Sequence, residues 1–164
     1  MTGPRVDATS RAPVALLSFG PYTLVERIGI GARSEVFRAH RQPRRGFQQE
    51  GPPVALKRVL AGAAHDPQTQ ATLAAEAELL KNLRHDGIVR VLDDGVVSGV
   101  AYVVYELVEG ADVEKILTRA RQLNLRLPLE FAFAVAVQLL EALAYVHEAM
   151  PSSPGHGTST AIVH

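Results

Sequence analysis

The sequence predicts an α+β fold: a five-stranded antiparallel sheet carrying one helix, followed by helices alone. Three observations predict it. Strand-like and helix-like segments come in the order three strands, one helix, two strands, then helices. Only a short glycine turn, Gly29-Ile30-Gly31-Ala32-Arg33-Ser34, separates the first two strands, which suits an antiparallel hairpin and not a parallel crossover. A lysine, Lys57, closes the apolar run Val54-Ala55-Leu56, and a charge in such a strand needs a partner.

The elements follow in order. Residues 1–20 are rich in Pro, Ser, Thr and Gly and read as a disordered leader. From Tyr22 to Ile30, Leu24, Val25 and Ile28 stand among polar residues, as in a half-buried strand. Glu35 to His40 is β-branched and aromatic enough for a second strand. The polar, proline-containing loop Arg41 to Pro53 leads to a third, Val54 to Leu60. Pro67 to Arg84 reads as a helix, with Asp66 as its cap, Pro67 in its first turn, and Leu73, Ala77, Leu80 and Leu83 at helical spacing. His85-Asp86-Gly87 ends it. Ile88 to Asp94 and Val100 to Val108 are two more strands, joined through Val97-Ser98-Gly99. Beyond Glu109-Gly110, the segments Asp112 to Leu123 and Leu129 to Ala149 are helical. The second is apolar on nearly every side, as befits a helix inside a larger domain.

Composition narrows the function classes. The 164 residues carry 47% hydrophobic and 21% charged side chains, ordinary for a globular chain. Seventeen basic residues balance 17 acidic ones, which argues against a broad basic surface for nucleic acid or anionic membrane. With no cysteine, a disulfide framework, a zinc-thiolate site and thiol catalysis are excluded. The apolar patch Val14 to Leu17 is too short for a signal-peptide core. The stretch 129–147 is interrupted by Glu130, Gln138 and Glu141, so no segment is expected to reach the ~20 apolar residues that span a bilayer. A cytoplasmic location is the expectation.

The glycine turn by itself serves a plain hairpin as well as a phosphate-binding loop, and Ser34 stands where a third glycine would complete G-x-G-x-x-G. A dinucleotide fingerprint needs a helix after the glycines and an acidic residue roughly 20 positions on, at a strand end. Here Glu35-Val36-Phe37 looks like a strand, and Glu50 lies in the proline-containing loop. Downstream of Lys57, Glu76 sits on the helical segment 67–84.

These motifs, in this order, resemble the N-terminal lobe of a eukaryotic-type Ser/Thr protein kinase of the kind also found in bacteria. Ile28-Gly29-Ile30-Gly31…Val36 resembles the glycine-rich loop, and Val54-Ala55-Leu56-Lys57 the strand motif V-A-I-K. Glu76-Ala77-Glu78-Leu79-Leu80-Lys81-Asn82-Leu83-Arg84-His85 resembles the passage from the αC helix to the next strand. The pairing glutamate stands nine positions before its histidine, which selects Glu76 over Glu78. The resemblance implies that Lys57 grips the α- and β-phosphates of ATP while Glu76 holds the lysine. Tyr102-Val103-Val104-Tyr105-Glu106-Leu107-Val108-Glu109-Gly110 resembles the last strand and hinge. It implies an adenine edge from the Glu106 carbonyl and the Val108 N–H, with Ile28, Val36, Ala55 and Leu107 lining the slot. Ile30 and Ser34 belong to the same loop over the phosphates. Tyr105 takes the gatekeeper position, and Asp112 that of a ribose-contacting acid or, on local grounds, of a helix N-cap.

The resemblance divides the chain into the leader 1–20, an ATP-binding N-lobe 21–109, and a hinge exit with a partial helical C-lobe 110–164. His164 matches the His that opens H-R-D, so the catalytic aspartate and the ligands of Mg2+ would lie beyond it. No metal ligand is assigned within the chain, and His147 and His156 receive no role. The expectation is the ATP-binding part of a protein serine/threonine kinase, inactive alone, with ATP and a protein substrate as its partners. A non-catalytic, pseudokinase-like interaction module, with helix 129–149 packing on another chain, is the alternative. A dinucleotide oxidoreductase is a third, which a helix at 35–40 would revive.

Overall fold

The computed structural model describes residues 17–43 and 50–149. Six strands form one antiparallel sheet: β1 (Leu17–Phe19), β2 (Tyr22–Ile30), β3 (Ser34–Arg41), β4 (Pro53–Val59), β5 (Val91–Val97) and β6 (Val100–Glu106). Their order across the sheet is β1-β2-β3-β4-β6-β5. Helix α1 (Pro67–Lys81) lies between β4 and β5 in sequence, after a single 3₁₀ turn at Ala61–Ala63; α2 (Val113–Gln122) and α3 (Leu129–Ala149) follow the sheet.

The α+β class and the strand–helix–strand order agree with the sequence, with one strand more than the five expected. Leu17–Phe19 falls in what reads as leader, yet it pairs antiparallel with β2, Phe19 opposite Tyr22. A two-residue turn joins them, and Gly20 makes it possible. Its φ is +54°, and a Cβ there would stand 2.5 Å from a Val97 methyl. Phe19 is buried, and its ring stacks on the Arg58 guanidinium 5.0 Å away, while Phe37 covers the same guanidinium at 4.9 Å. Arg58 in turn binds the buried Glu35 carboxylate at 2.9 and 3.0 Å. Glu35 and Arg58 face each other in register on β3 and β4.

Boundaries shift where local chemistry dictates. Helix α1 stops at Lys81 with Asn82 as its C-cap, short of the expected Arg84. Ile88 donates its N–H back to the His85 carbonyl in a turn, so β5 begins only at Val91. β6 ends at Glu106, paired with Val54. Beyond that pair β4 offers Pro53 and Pro52, which have no N–H for the ladder. Asp66 caps α1 as expected, its carboxylate accepting from the Gln68 N–H and the Thr69 hydroxyl.

Side chains alternate across the sheet. Leu24, Ala39, Val54, Leu56, Tyr102 and Val104 form one core on one face. Val59, Val103 and Tyr105 pack with Leu73 and Ala77 of α1 on the other.

The chain divides into two compact units, one of Met1–Asn82 with Val89–Gly110 and one of Leu83–Ile88 with Ala111–His164. In the second, the Tyr145 hydroxyl of α3 accepts from the Arg84 N–H at 2.8 Å and its ring lies 5.1 Å from that of His85. α3 runs 21 residues and exposes Leu129, Phe133, Val137 and Leu140. By length and composition it is apolar enough to cross a membrane, which corrects the expectation that no segment would be. Core helices of larger domains pass the same test.

Candidate functional site

The first unit assembles the site from one transverse row of the sheet. Gly29 of β2 stands opposite Val36 of β3, Val36 opposite Lys57 of β4, and Lys57 opposite Val103 of β6. Directly paired antiparallel residues share a face, so Val36, Lys57 and Val103 project to the one side on which Gly29 leaves its backbone bare. Ala55, two positions before Lys57, and its partner Tyr105 project to that side as well. This is the face that α1 covers.

Lys57 finds its partner there. Its Nζ donates to both carboxylate oxygens of Glu76 on α1, at 2.7 and 2.9 Å. The pair is half-buried, with side-chain exposures of 25% and 37%. The Tyr105 hydroxyl donates to Glu76 Oε1 at 2.6 Å. Burial, then the bond to the Glu76 carboxylate, pushes the Tyr105 phenol far above its ordinary range, so it remains a neutral donor. Glu78, one of the two glutamates weighed for the pairing, instead meets Lys81 one turn on. The helix register thus selects Glu76.

Two residues of the glycine turn, Arg33 and Ser34, line the same cleft as this pair. Gly31 donates its N–H to the Ser34 carbonyl at 2.8 Å, and Ser34 starts β3. A strand, not a helix, follows the turn, which removes the dinucleotide reading. A Cβ on Gly29 or Gly31 would meet only ordinary contacts, at 3.7 Å from Val36 and 3.6 Å from the Ser34 carbonyl. Packing within the chain therefore does not demand glycine at either position. Ser34, Lys57 and Glu76 line one cleft of about 100 Å³ together with Arg33, Thr69 and Leu73.

The remaining expected residues fall into place unevenly. Val36 and Ala55 share the Lys57 face. Ile28 sits at an irregularity in the β2–β3 register, 43% exposed, and Ile30 closes β2. Leu107 and Val108 follow β6 outside any strand or helix. The Glu106 N–H donates to the Arg90 carbonyl, and the Glu106 carboxylate is held below its usual range by the Arg90 side chain and N–H. Asp112 lies in the second unit, where it caps α2 by accepting from the Lys115 N–H at 2.7 Å, the local role foreseen for it. His164 and the strand-like residues before it lie outside the described residues.

Sequence reasoning placed Tyr105 by its position and missed what its hydroxyl does. The available signal was a phenol on the Lys57 face of a strand paired with the lysine's own.

Comparison with known proteins follows the same residues. The protein tyrosine and serine/threonine kinase family matches residues 22–152. A probable serine/threonine-protein kinase of Streptomyces coelicolor is 36% identical over 134 residues, 79% of this chain and 18% of that protein. The tyrosine-protein kinase MasK of Myxococcus xanthus is 29% identical over 144 residues, 87% of this chain and 22% of that protein. Among solved structures, the PknI kinase domain of Mycobacterium tuberculosis superposes with a TM-score of 0.61 at 26% identity, covering 83% of this chain and 52% of that one. The chain thus spans about a fifth of these curated relatives and about half of the solved domain.

Proposed function

The chain belongs to the protein tyrosine and serine/threonine kinase family, and from that premise we propose that it is the ATP-binding part of a protein serine/threonine kinase. The observation that carries the proposal is the bidentate Lys57–Glu76 pair, in a cleft that Arg33 and Ser34 of the glycine turn also line. An ammonium has three N–H donors; Glu76 takes two, and the third is left for a phosphate oxygen of ATP. The bond to Glu76 fixes where that charge sits, so the phosphate meets a preorganised cation. The turn of residues 29–34 lies over the phosphates, where Gly29 and Gly31 admit close approach. Ile28, Val36, Ala55 and Leu107 enclose adenine, and the Glu106 carbonyl and Val108 N–H read its edge.

In the complete reaction the γ-phosphoryl of ATP passes to a serine or threonine hydroxyl of a protein. The family uses Mg2+ with ATP. The steps assigned to this chain on the Lys57–Glu76 pair are the binding and orientation of ATP. The family match runs through α3, which supports its reading as a helix of the kinase domain.

Calorimetric titration of the 164-residue chain with ATP tests the proposal. Lys57→Met removes one charge-assisted hydrogen bond worth about 1.5–3 kcal/mol, so Kd rises roughly 10- to 100-fold. Equal ATP affinity of the two proteins sinks the assignment. Undiminished binding with Lys57→Met and no dependence on the phosphates instead favours an interaction module.

A further inference from the structure

We infer that Tyr105 is a positioning residue for the nucleotide site: its hydroxyl holds the Glu76 carboxylate in the orientation that pins Lys57. This inference rests on the reading of Lys57 and Glu76 as the grip on ATP. Glu76 reaches the lysine from a helix, through a long side chain that is more than a third exposed. Left to itself such a carboxylate has several rotamers open to it and loses entropy on being fixed. Tyr105 supplies the constraint. Tyr105 is 7% exposed as a residue, clusters with Val103, Leu73 and Ala77, and sits on β6 in register with Ala55. From that rigid base the hydroxyl takes Oε1 at 2.6 Å, and the carboxylate then presents both oxygens to Nζ. The three groups come from three different elements: a strand lysine, a helix glutamate and a phenol on the neighbouring strand.

The ring and the hydroxyl have separable roles. The ring fills the core between β6 and α1, which phenylalanine would do equally. Only the hydroxyl touches Glu76. Tyr105→Phe therefore isolates the positioning effect from packing.

The sequence contains three lysines, Lys57, Lys81 and Lys115, so the reactivity of each amine can be read separately. Acetic anhydride labelling of the 164-residue chain, followed by mass spectrometry, reports how tightly Lys57 is paired without any nucleotide. Tyr105→Phe should speed Lys57 acetylation roughly 3- to 10-fold, the range of one lost hydrogen bond of about 1 kcal/mol. Lys81 and Lys115 should be unchanged. Glu76→Gln should raise the Lys57 rate at least as far, and adding Tyr105→Phe to it should change nothing more, because the hydroxyl acts through the carboxylate. Lys57 labelling at the wild-type rate in Tyr105→Phe overturns the inference, as does an equal effect of Tyr105→Phe in the Glu76→Gln background.

The same four proteins titrated with ATP give the functional half: weaker binding from Tyr105→Phe only where Glu76 is present. Absence of ATP binding by the wild type would defeat the kinase reading, while the labelling cycle would still decide the role of Tyr105. Should Tyr105→Phe fail to fold, the wild-type Tyr105 ¹³Cζ resonance decides: a shift in Glu76→Gln upholds the inference, and an unmoved signal overturns it.

Discussion

Tyr105 shows how a side chain's surroundings convert into a measurable property. Three of the chain's four tyrosines have phenols raised above their ordinary pKa of 10.0. Burial is the first cause in each; Tyr22 adds a 2.6 Å bond to Asp93, Tyr102 the nearby Asp93 charge, and Tyr105 the bond to Glu76. The folded state therefore holds these protons more tightly than the unfolded chain does. Their contribution to stability is whole below about pH 10 and falls as pH rises through the raised values. Denaturant melts across the alkaline range should show a midpoint steady up to about pH 10 and declining above it; a midpoint flat to pH 12 would contradict the burial of these phenols. Not all of this was legible in the sequence. Lys57 and Glu76 could be paired in advance because an ordered set of motifs spans them. The Tyr105–Glu76 bond joins residues 29 apart and depends on which faces of β6 and α1 meet, information that periodicity alone does not carry. The Glu35–Arg58 pair was hidden for the same reason, since it needs the β3–β4 register.

At the scale of the element, α1 is the part whose position decides the site, because Glu76 rides on it. Three attachments hold it to the sheet. Near its start, the Gln70 amide donates to the Ala64 and Gly99 carbonyls at 2.7 and 2.9 Å and accepts from the Ala101 N–H at 2.9 Å. In the middle, Glu76 meets Lys57 and Tyr105, and at the end Lys81 meets Asp94 at 2.9 Å. Gln70 does not line the Lys57 cleft, so its removal tests the seating of the helix and not the cleft itself. Gln70→Ala deletes three hydrogen bonds and leaves the Ala101 N–H to find water; it should cost about 1–3 kcal/mol in urea melts. An unchanged midpoint would mean that the core of Leu73, Ala77 and Val103 alone seats the helix. The existence and type of the long elements were readable from spacing: Asp66, Pro67 and the leucine pattern specify α1, and Tyr22–Ile30 begins and ends where the sequence indicated. The short ones were not. β1 has three residues in a proline- and serine-rich context and exists because Phe19 gains Arg58 and the core. The starts of β5 and ends of β6 were set by a turn at His85–Ile88 and by Pro52 and Pro53 on the neighbouring strand.

At the scale of the whole molecule, the chain forms two compact units. The first holds the six-stranded sheet, α1 and every residue of the Lys57 cleft. The second holds α2 and α3, whose apolar surface fits a helix of a larger domain, as the family match through residue 152 supports. In the first unit Lys57, alone among three lysines, is the residue proposed to face the phosphates of ATP. An acyl-phosphate derivative of ATP tests it most directly. When such a reagent binds, an amine beside its terminal phosphate attacks the acyl carbon, an amide forms and ATP leaves. Tandem mass spectrometry of the 164-residue chain should find the label on Lys57, suppressed by excess ATP and lost in Lys57→Met. Label spread over Lys81 and Lys115, or label on Lys57 that ATP does not suppress, would contradict the account.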